Sequence, residues 1–176
     1  VAFTMPSGVT LLEQELRDAL LRGVHVRLLT GDYLGITRPE ALRALLSLDE
    51  SISMLLEETE AHDLKRGVLE LRVLESASMP EASFHPKAWL FDWADGGIGF
   101  VGSSNLSRAA LLTGIEWNLA VDKTHDEETF LELQHAFDAL WQRAATVTHP
   151  WIDAYMDRVA TLRQEHAPAS DLLESI

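Results

Sequence analysis

The chain contains no cysteine, which excludes a disulfide framework and any thiolate metal site. It is also short of positive charge: 14 lysines and arginines stand against 28 acids, leaving a formal net charge of −14. That balance weighs against a nucleic-acid role, because phosphate neutralisation by basic residues supplies most of the affinity in such proteins. The acid is unevenly spread, however. It gathers in DESISMLLEETEAHD (49–63) and in DKTHDEETFLE (122–132), whereas arginines outnumber acids between Arg17 and Arg43. One face can therefore still accept phosphate. No apolar run reaches the roughly 18 residues of a membrane span, and no signal-like stretch opens the chain. No basic amphipathic stretch offers itself to a membrane surface either. The G-x-x-x-x-G-K-[ST] pattern is missing, which excludes ATP hydrolysis through a P-loop. A cytoplasmic location is the expectation. Val1 already lies inside the apolar stretch VAFTM, so the chain reads as a piece of a longer protein.

What is present is an ordinary globular composition, 47% hydrophobic and 24% charged over 176 residues, enough for one domain with a full core. VAFTM reads as a buried strand. The spacing of Val9, Leu12, Leu16, Ala19 and Leu20 predicts a helix from about Gly8 to Arg22, stopped by Gly23. VHVRLLT (24–30) predicts a strand, PEALRALLSL (39–48) a helix with Pro39 in its first turn, and residues 49–66 a second, more exposed helix. VLELRVLE (68–75), SFHPKAWLFD (83–92), IGFVG (98–102) and EWNLAV (116–121) read as strands, with a turn at Asp95-Gly96-Gly97 and a short helix over SNLSRAALLTG. Phe130, Leu133, Phe137, Leu140 and Trp141 share a helical face between Glu127 and Arg143. A last helix runs from about Trp151 to Gln164. The expectation is an α/β fold: a mixed, mostly parallel sheet covered by helices on both faces, forming a single domain over 1–165 with a flexible tail at 166–176.

The chemistry concentrates between Ser83 and Val121. His85 and Lys87 lie two apart on an expected strand, so their side chains point to one face. Imidazole and ammonium side by side make a phosphate site in which lysine supplies charge and histidine a nucleophile or proton carrier. The next strand ends in Gly102-Ser103-Ser104-Asn105 ahead of a short helix. Glycine permits close backbone approach, a helix start offers N–H donors to an anion, and Ser103 and Asn105 add neutral donors. Glu116 opens the following strand, where its carboxylate can accept a hydrogen bond from one nitrogen of His85 and fix the tautomer. Asp92, seven residues after His85, has the opposite parity on a strand, and a structural role is expected for it.

These residues form recognisable motifs: H-x-K-x-x-x-x-D as His85, Lys87 and Asp92, G-S-x-N as Gly102, Ser103 and Asn105, and a downstream glutamate, Glu116. The first alone arises by chance in about one chain in a hundred at background frequencies; all three in order are far more specific. Together they resemble the phospholipase D superfamily. LLTGDYLGIT (28–37), SFHPKAWLF and GFVGSSNLSRAALLTGIEWNL are similar to the phospholipase-D-like domains fused to bacterial DEAD/DEAH-type helicases and some restriction-like nucleases, over roughly residues 1–145. The resemblance implies a phosphodiesterase in which His85 attacks phosphorus, Lys87, Ser103 and Asn105 hold the phosphoryl oxygens, and Glu116 orients His85. Asp92 and Gly102 are then structural members of the motif. It implies no metal and no cofactor. It also implies a symmetric homodimer through the active-site face, since the mechanism uses two histidines and this chain carries one motif. DNA is the expected substrate, with helicase or ATPase domains of a parent chain as further partners.

Plainer alternatives stand beside this reading. The chain can be a nucleic-acid-binding or dimerisation module with weak chemistry, or a phospholipid phosphodiesterase. Asp32-Tyr33 can stack a base or sugar, although a turn aspartate and a packed tyrosine are the simpler expectation. Trp89, Trp93, Trp117, Trp141 and Trp151 are read as core or interface residues, with Trp93 or Trp117 able to wall a cleft. The remaining histidines, at 25, 62, 125, 135, 149 and 166, have no partners at ligand spacing.

Overall fold

The first helix starts on Pro6, whose fixed φ and missing N–H suit a first turn. It ends where Gly23, at a φ of 83°, turns the chain while its N–H bonds Leu20 O. In the computed structural model, which describes residues 1–58, 66–78 and 84–165, this helix is α1 (Pro6–Leu21). It leads into strand β1 (Val26–Gly31), a 3₁₀ turn at Tyr33–Gly35, and helix α2 (Pro39–Glu58). Strand β2 (Leu69–Leu74) follows, then β3 (Ala88–Trp93), β4 (Gly96–Gly102), a π-helical turn at Ala109–Thr113, and β5 (Asn118–Asp122). Helix α3 (Glu127–Arg143), the short strand β6 (Ala145–Thr146) and helix α4 (His149–Glu165) complete the order. The tail at 166–176, the end of the helix expected over 49–66 and the first residue of the strand expected at 83 lie outside the described residues.

The α/β architecture with a mixed set of strands is the one expected, but the strands divide into two three-stranded sheets, β1-β2-β6 and β3-β4-β5. Only β1 and β2 run parallel; β6 joins β2, and β4 joins β3 and β5, antiparallel. The physical reason lies in the connections. A helix separates β1 from β2 and permits the parallel crossover, whereas a two-residue turn at Ala94-Asp95 between β3 and β4 enforces a hairpin.

Helices cover both faces of the first sheet. Leu69, Leu71 and Val73 point into a core shared with α1, α2 and α4, including Leu20, Leu42, Leu45, Ile52, Ile152 and Tyr155. On the other face Leu29 and Leu74 meet Phe84, Trp141 and Ala144 under α3. Arg27 and Arg72 lie on that face too, their guanidinium groups 4.8 Å from the Phe137 ring and 4.7 Å from the Trp141 ring. The second sheet is covered by α3 on one side, where Gly99 leaves room for Leu90, Leu133 and Phe130. Phe91 and Trp93 on its opposite side are exposed.

Two expectations about elements change. The helices foreseen at 39–48 and 49–66 form one continuous α2 to Glu58, because nothing breaks the chain after Leu48 and the buried face runs on through Leu42, Leu45, Leu48 and Ile52. VAFTM is an irregular connector with a single bridge, Thr4 to Leu106. It stitches the two sheets together: Gly31 N donates to Ala2 O, Leu106 N to Phe3 O, and Met5 N to Leu106 O.

Candidate active site

The site lies where that connector meets the ends of β3, β4 and β5. Phe84 is buried in the cluster under α3 and packs on Gly31, where any Cβ would lie 3.0 Å from its ring. The next three residues, His85-Pro86-Lys87, precede β3 rather than forming part of it. Pro86 has no N–H to give a ladder, and the sheet begins only with Gly102 N donating to Lys87 O at 3.0 Å. Strand parity therefore does not bring His85 and Lys87 together. A direct contact does: Lys87 Nζ lies 2.9 Å from His85 Nδ1 and 3.0 Å from His85 O. The edge of the His85–Phe3 pair closes one flank, with ring centroids 5.3 Å apart at 87°. His85 remains exposed to solvent and Lys87 is half-buried.

Beyond β4 the chain is held by backbone and side chains from both sides. Leu106 is buried under the connector, and Asn105 Oδ1 accepts from Phe3 N at 3.0 Å. Ser103 Oγ donates to Glu116 Oε2 and accepts from Trp117 N, while Ser103 N donates to Trp117 O at 3.1 Å. One residue on, the buried Ser104 exchanges hydrogen bonds with Asn118, and its carbonyl accepts from Trp89 Nε1. Motif reasoning did not single out Phe3, Ser104 or Asn118, although they fix the loop. Their partners are far away in sequence, and no spacing rule signals them.

Gly102 sits beneath this loop for a steric reason. A Cβ there would overlap Trp117 O and the side chain of Asn118, so glycine lets β4 and β5 close on each other. Close approach serves the neighbouring strand here, not a ligand.

Two features of the site differ from expectation. Glu116 bonds Ser103, and none of the described hydrogen bonds joins it to His85, whose Nδ1 is occupied by Lys87. The helix expected to offer N–H groups directly after Asn105 is only the turn Ala109–Thr113. Its leading donors are already capped, Arg108 N by Ser7 Oγ and Ala110 N by Ser107 Oγ. Of the two readings of Trp117, its 84% exposure removes the core one and leaves the interface or cleft-wall one; Ile115 at 95%, Leu119 at 70% and Leu112 at 57% are exposed apolar neighbours in the same stretch of chain.

Asp92 sits at the far end of β3, opposite Gly97, where it accepts from Lys123 Nζ at 2.6 Å and Gln134 Nε2 at 2.9 Å. The hydrogen bond from Lys123, joined by that from Gln134, holds its carboxyl below the usual range against a smaller desolvation effect. Asp32 accepts from both the N–H and hydroxyl of Ser76, a structural turn contact, while Tyr33 beside it is exposed rather than packed. Trp141 is buried, and Trp151 stacks on Tyr155 and donates to Glu75. His25, His125 and His149 pair with Glu70, Asp122 and Glu50, and His135 is exposed; His62 and His166 lie outside the described residues. Among the described residues no group of three or more histidines and acids is placed to hold a metal ion.

An exposed histidine with a lysine on its ring, and a serine and an asparagine past the end of the neighbouring strand, are the motif groups of the phospholipase D superfamily, whose members are phosphodiesterases. The chain belongs to the family described as cardiolipin synthase, PLD-like domain, which it matches over residues 2–141. No curated protein sequence matches it significantly. No described helix is long and apolar enough to cross a membrane.

Proposed function

We propose that the chain is a metal-independent phosphodiesterase of nuclease type, acting on DNA as part of a larger helicase or restriction protein. The observation that carries this reading is the contact of Lys87 with His85 on an exposed surface, joined to the Ser103–Asn105 loop by the bond from Gly102 N to Lys87 O and by Phe3, which touches both His85 and Asn105. One neutral nucleophile and one cation stand together with neutral hydrogen-bonding groups, a set suited to a phosphodiester. In the proposed reaction a ring nitrogen of His85 attacks phosphorus and the bond to the leaving oxygen breaks. That oxygen takes its proton from His85 of a second copy. The same second histidine then accepts a proton from water as water displaces the phosphohistidine nitrogen. Lys87, Ser103 and Asn105 hold the phosphoryl oxygens, and Glu116 orients His85. The second copy docks through the active-site face, where the exposed Leu112, Ile115, Trp117 and Leu119 supply apolar surface to bury.

A second reading, a phospholipid phosphodiesterase, is favoured by the family's own description. The deciding experiment compares single- and double-stranded DNA, RNA, a soluble phosphodiester and phosphatidylglycerol vesicles as substrates in excess EDTA. DNA cleavage that persists in EDTA is the expected outcome. Preferential vesicle hydrolysis selects the second reading. Complete loss with EDTA and rescue by Mg²⁺ or Mn²⁺ overturns the phosphohistidine mechanism.

A further inference from the structure

In the isolated chain, four of the five side chains assigned to the reaction are occupied by one another, and the fifth is held by the backbone. Lys87 lies on His85 Nδ1, Ser103 donates to Glu116, and Asn105 Oδ1 is held by Phe3 N. The first of these contacts has a chemical consequence. A lysine ammonium has only donors, so His85 Nδ1 must be the acceptor and its lone pair is used. The ring proton then resides on Nε2, and neither nitrogen is free to attack phosphorus. The same ammonium is held a second time, by the carbonyl of His85.

Building on the phosphohistidine reading, we propose that Lys87 is a positioning residue as well as a phosphate ligand. In the free chain it fixes His85 as the Nε2–H tautomer, and a phosphate group switches that tautomer by drawing Lys87 away. The exchange conserves hydrogen bonds. Phosphate oxygens accept from Lys87 Nζ and Ser103 Oγ, which empties His85 Nδ1 and the carboxylate of Glu116 together. The ring proton moves through solvent from Nε2 to Nδ1, whose N–H then donates a hydrogen bond to the Glu116 carboxylate, and the lone pair appears on Nε2. His85 acquires its nucleophilic nitrogen only when a phosphate is present to receive it.

The frame around these side chains is built for such an exchange. Ser103 keeps the bond from Trp117 N when its own proton leaves Glu116, and the backbone pairs Gly102–Lys87 and Ser103–Trp117 hold the three strands in register meanwhile. His85 and Ser103 are exposed, so only side-chain torsions need change.

Nitrogen-15 NMR of ring-labelled His85 tests this without any turnover, with inorganic phosphate as the probe. In the free protein the proton should be on Nε2, and Nδ1 should resonate upfield of a bare acceptor nitrogen because of the ammonium. Lys87→Met should remove that upfield displacement while circular dichroism stays native. At phosphate concentrations that saturate the shift of the Ser103 amide, wild type should carry the proton on Nδ1. Glu116→Ala should bind phosphate but keep it on Nε2. An Nδ1–H tautomer in the free protein, or an unchanged tautomer at saturation, overturns the proposal. Absence of any phosphate-induced shift at the site overturns both it and the phosphohistidine reading. A protein that switches tautomer yet cleaves no phosphodiester retains the proposal and loses the proposed activity.

Discussion

His85, Glu116 and Gly102 occupy positions where one atom decides the outcome. Replacing His85 by alanine removes the nitrogen proposed to attack phosphorus from an exposed side chain that supports little of the core. Turnover should fall by about 10⁴-fold or more with circular dichroism unchanged. Glu116→Gln keeps an acceptor and loses charge, so steady-state kinetics should show a smaller loss, about 10²-fold. A Glu116→Gln protein as inactive as His85→Ala would give the glutamate a role in the chemical step itself. Gly102→Ala acts on stability instead. Its methyl group would overlap backbone of the neighbouring strand, which cannot rotate away, and urea unfolding should show a loss of about 3 kcal/mol. The identities of these residues were legible in the sequence because short motifs record residue type and order. Their contacts were not. His85 and Lys87 were expected to share a strand face, and Pro86 keeps that segment out of the ladder. Glu116 was expected on His85 and is found on Ser103, a choice among neighbours that spacing does not encode.

At the level of the elements, Asp92 shows how a motif residue can serve the scaffold. Its carboxylate ties β3 to Lys123, just past β5, and to Gln134 on α3. Its folded pKa is depressed below the ordinary aspartate value of 3.8. The stabilisation is therefore present above that value and is lost as pH falls through the lower folded one. The pair is solvent-exposed, so its worth is modest, about 0.5 kcal/mol. Asp92→Asn should lower the urea midpoint slightly at pH 6, and the gap from wild type should close at strongly acid pH. A folded but inactive Asp92→Asn protein would assign the residue to the chemistry. Local signals served well for α3, whose bounds Glu127–Arg143 coincide with the apolar periodicity and whose N-cap, Asp126, accepts from Thr129 N at 3.1 Å. They served less well for VAFTM. An apolar run marks burial but not ladder pairing, and this one is buried as a connector.

For the whole molecule the count of motifs sets the expectation. One histidine cannot both attack phosphorus and protonate the group leaving on the opposite side. We propose that two copies meet across a two-fold axis and share a cleft. Light scattering should report about twice the 19.6 kDa chain mass, and Trp117→Glu combined with Leu119→Lys should shift the protein to monomer. Mixing His85→Ala with wild type should yield inactive heterodimers. A strictly monomeric wild type at high concentration overturns this arrangement. The acidic balance remains compatible with a DNA substrate only if the acids lie away from the shared face, and salt dependence of cleavage will measure how much phosphate neutralisation contributes.

The amino-acid sequence alone determined the superfamily, the order of its motif residues, and the helices whose caps and periodicity are local. Tertiary structure decided which groups touch. The asparagine of the motif is held by a backbone N–H 102 residues away, and the serine by a glutamate 13 residues away. The division of the strands into two sheets depends on which connections are long enough to cross over. These are matters of register and closure between distant segments, where many pairings satisfy the same local pattern and only simultaneous burial of Phe84, Leu106 and the β1–β2 core selects one.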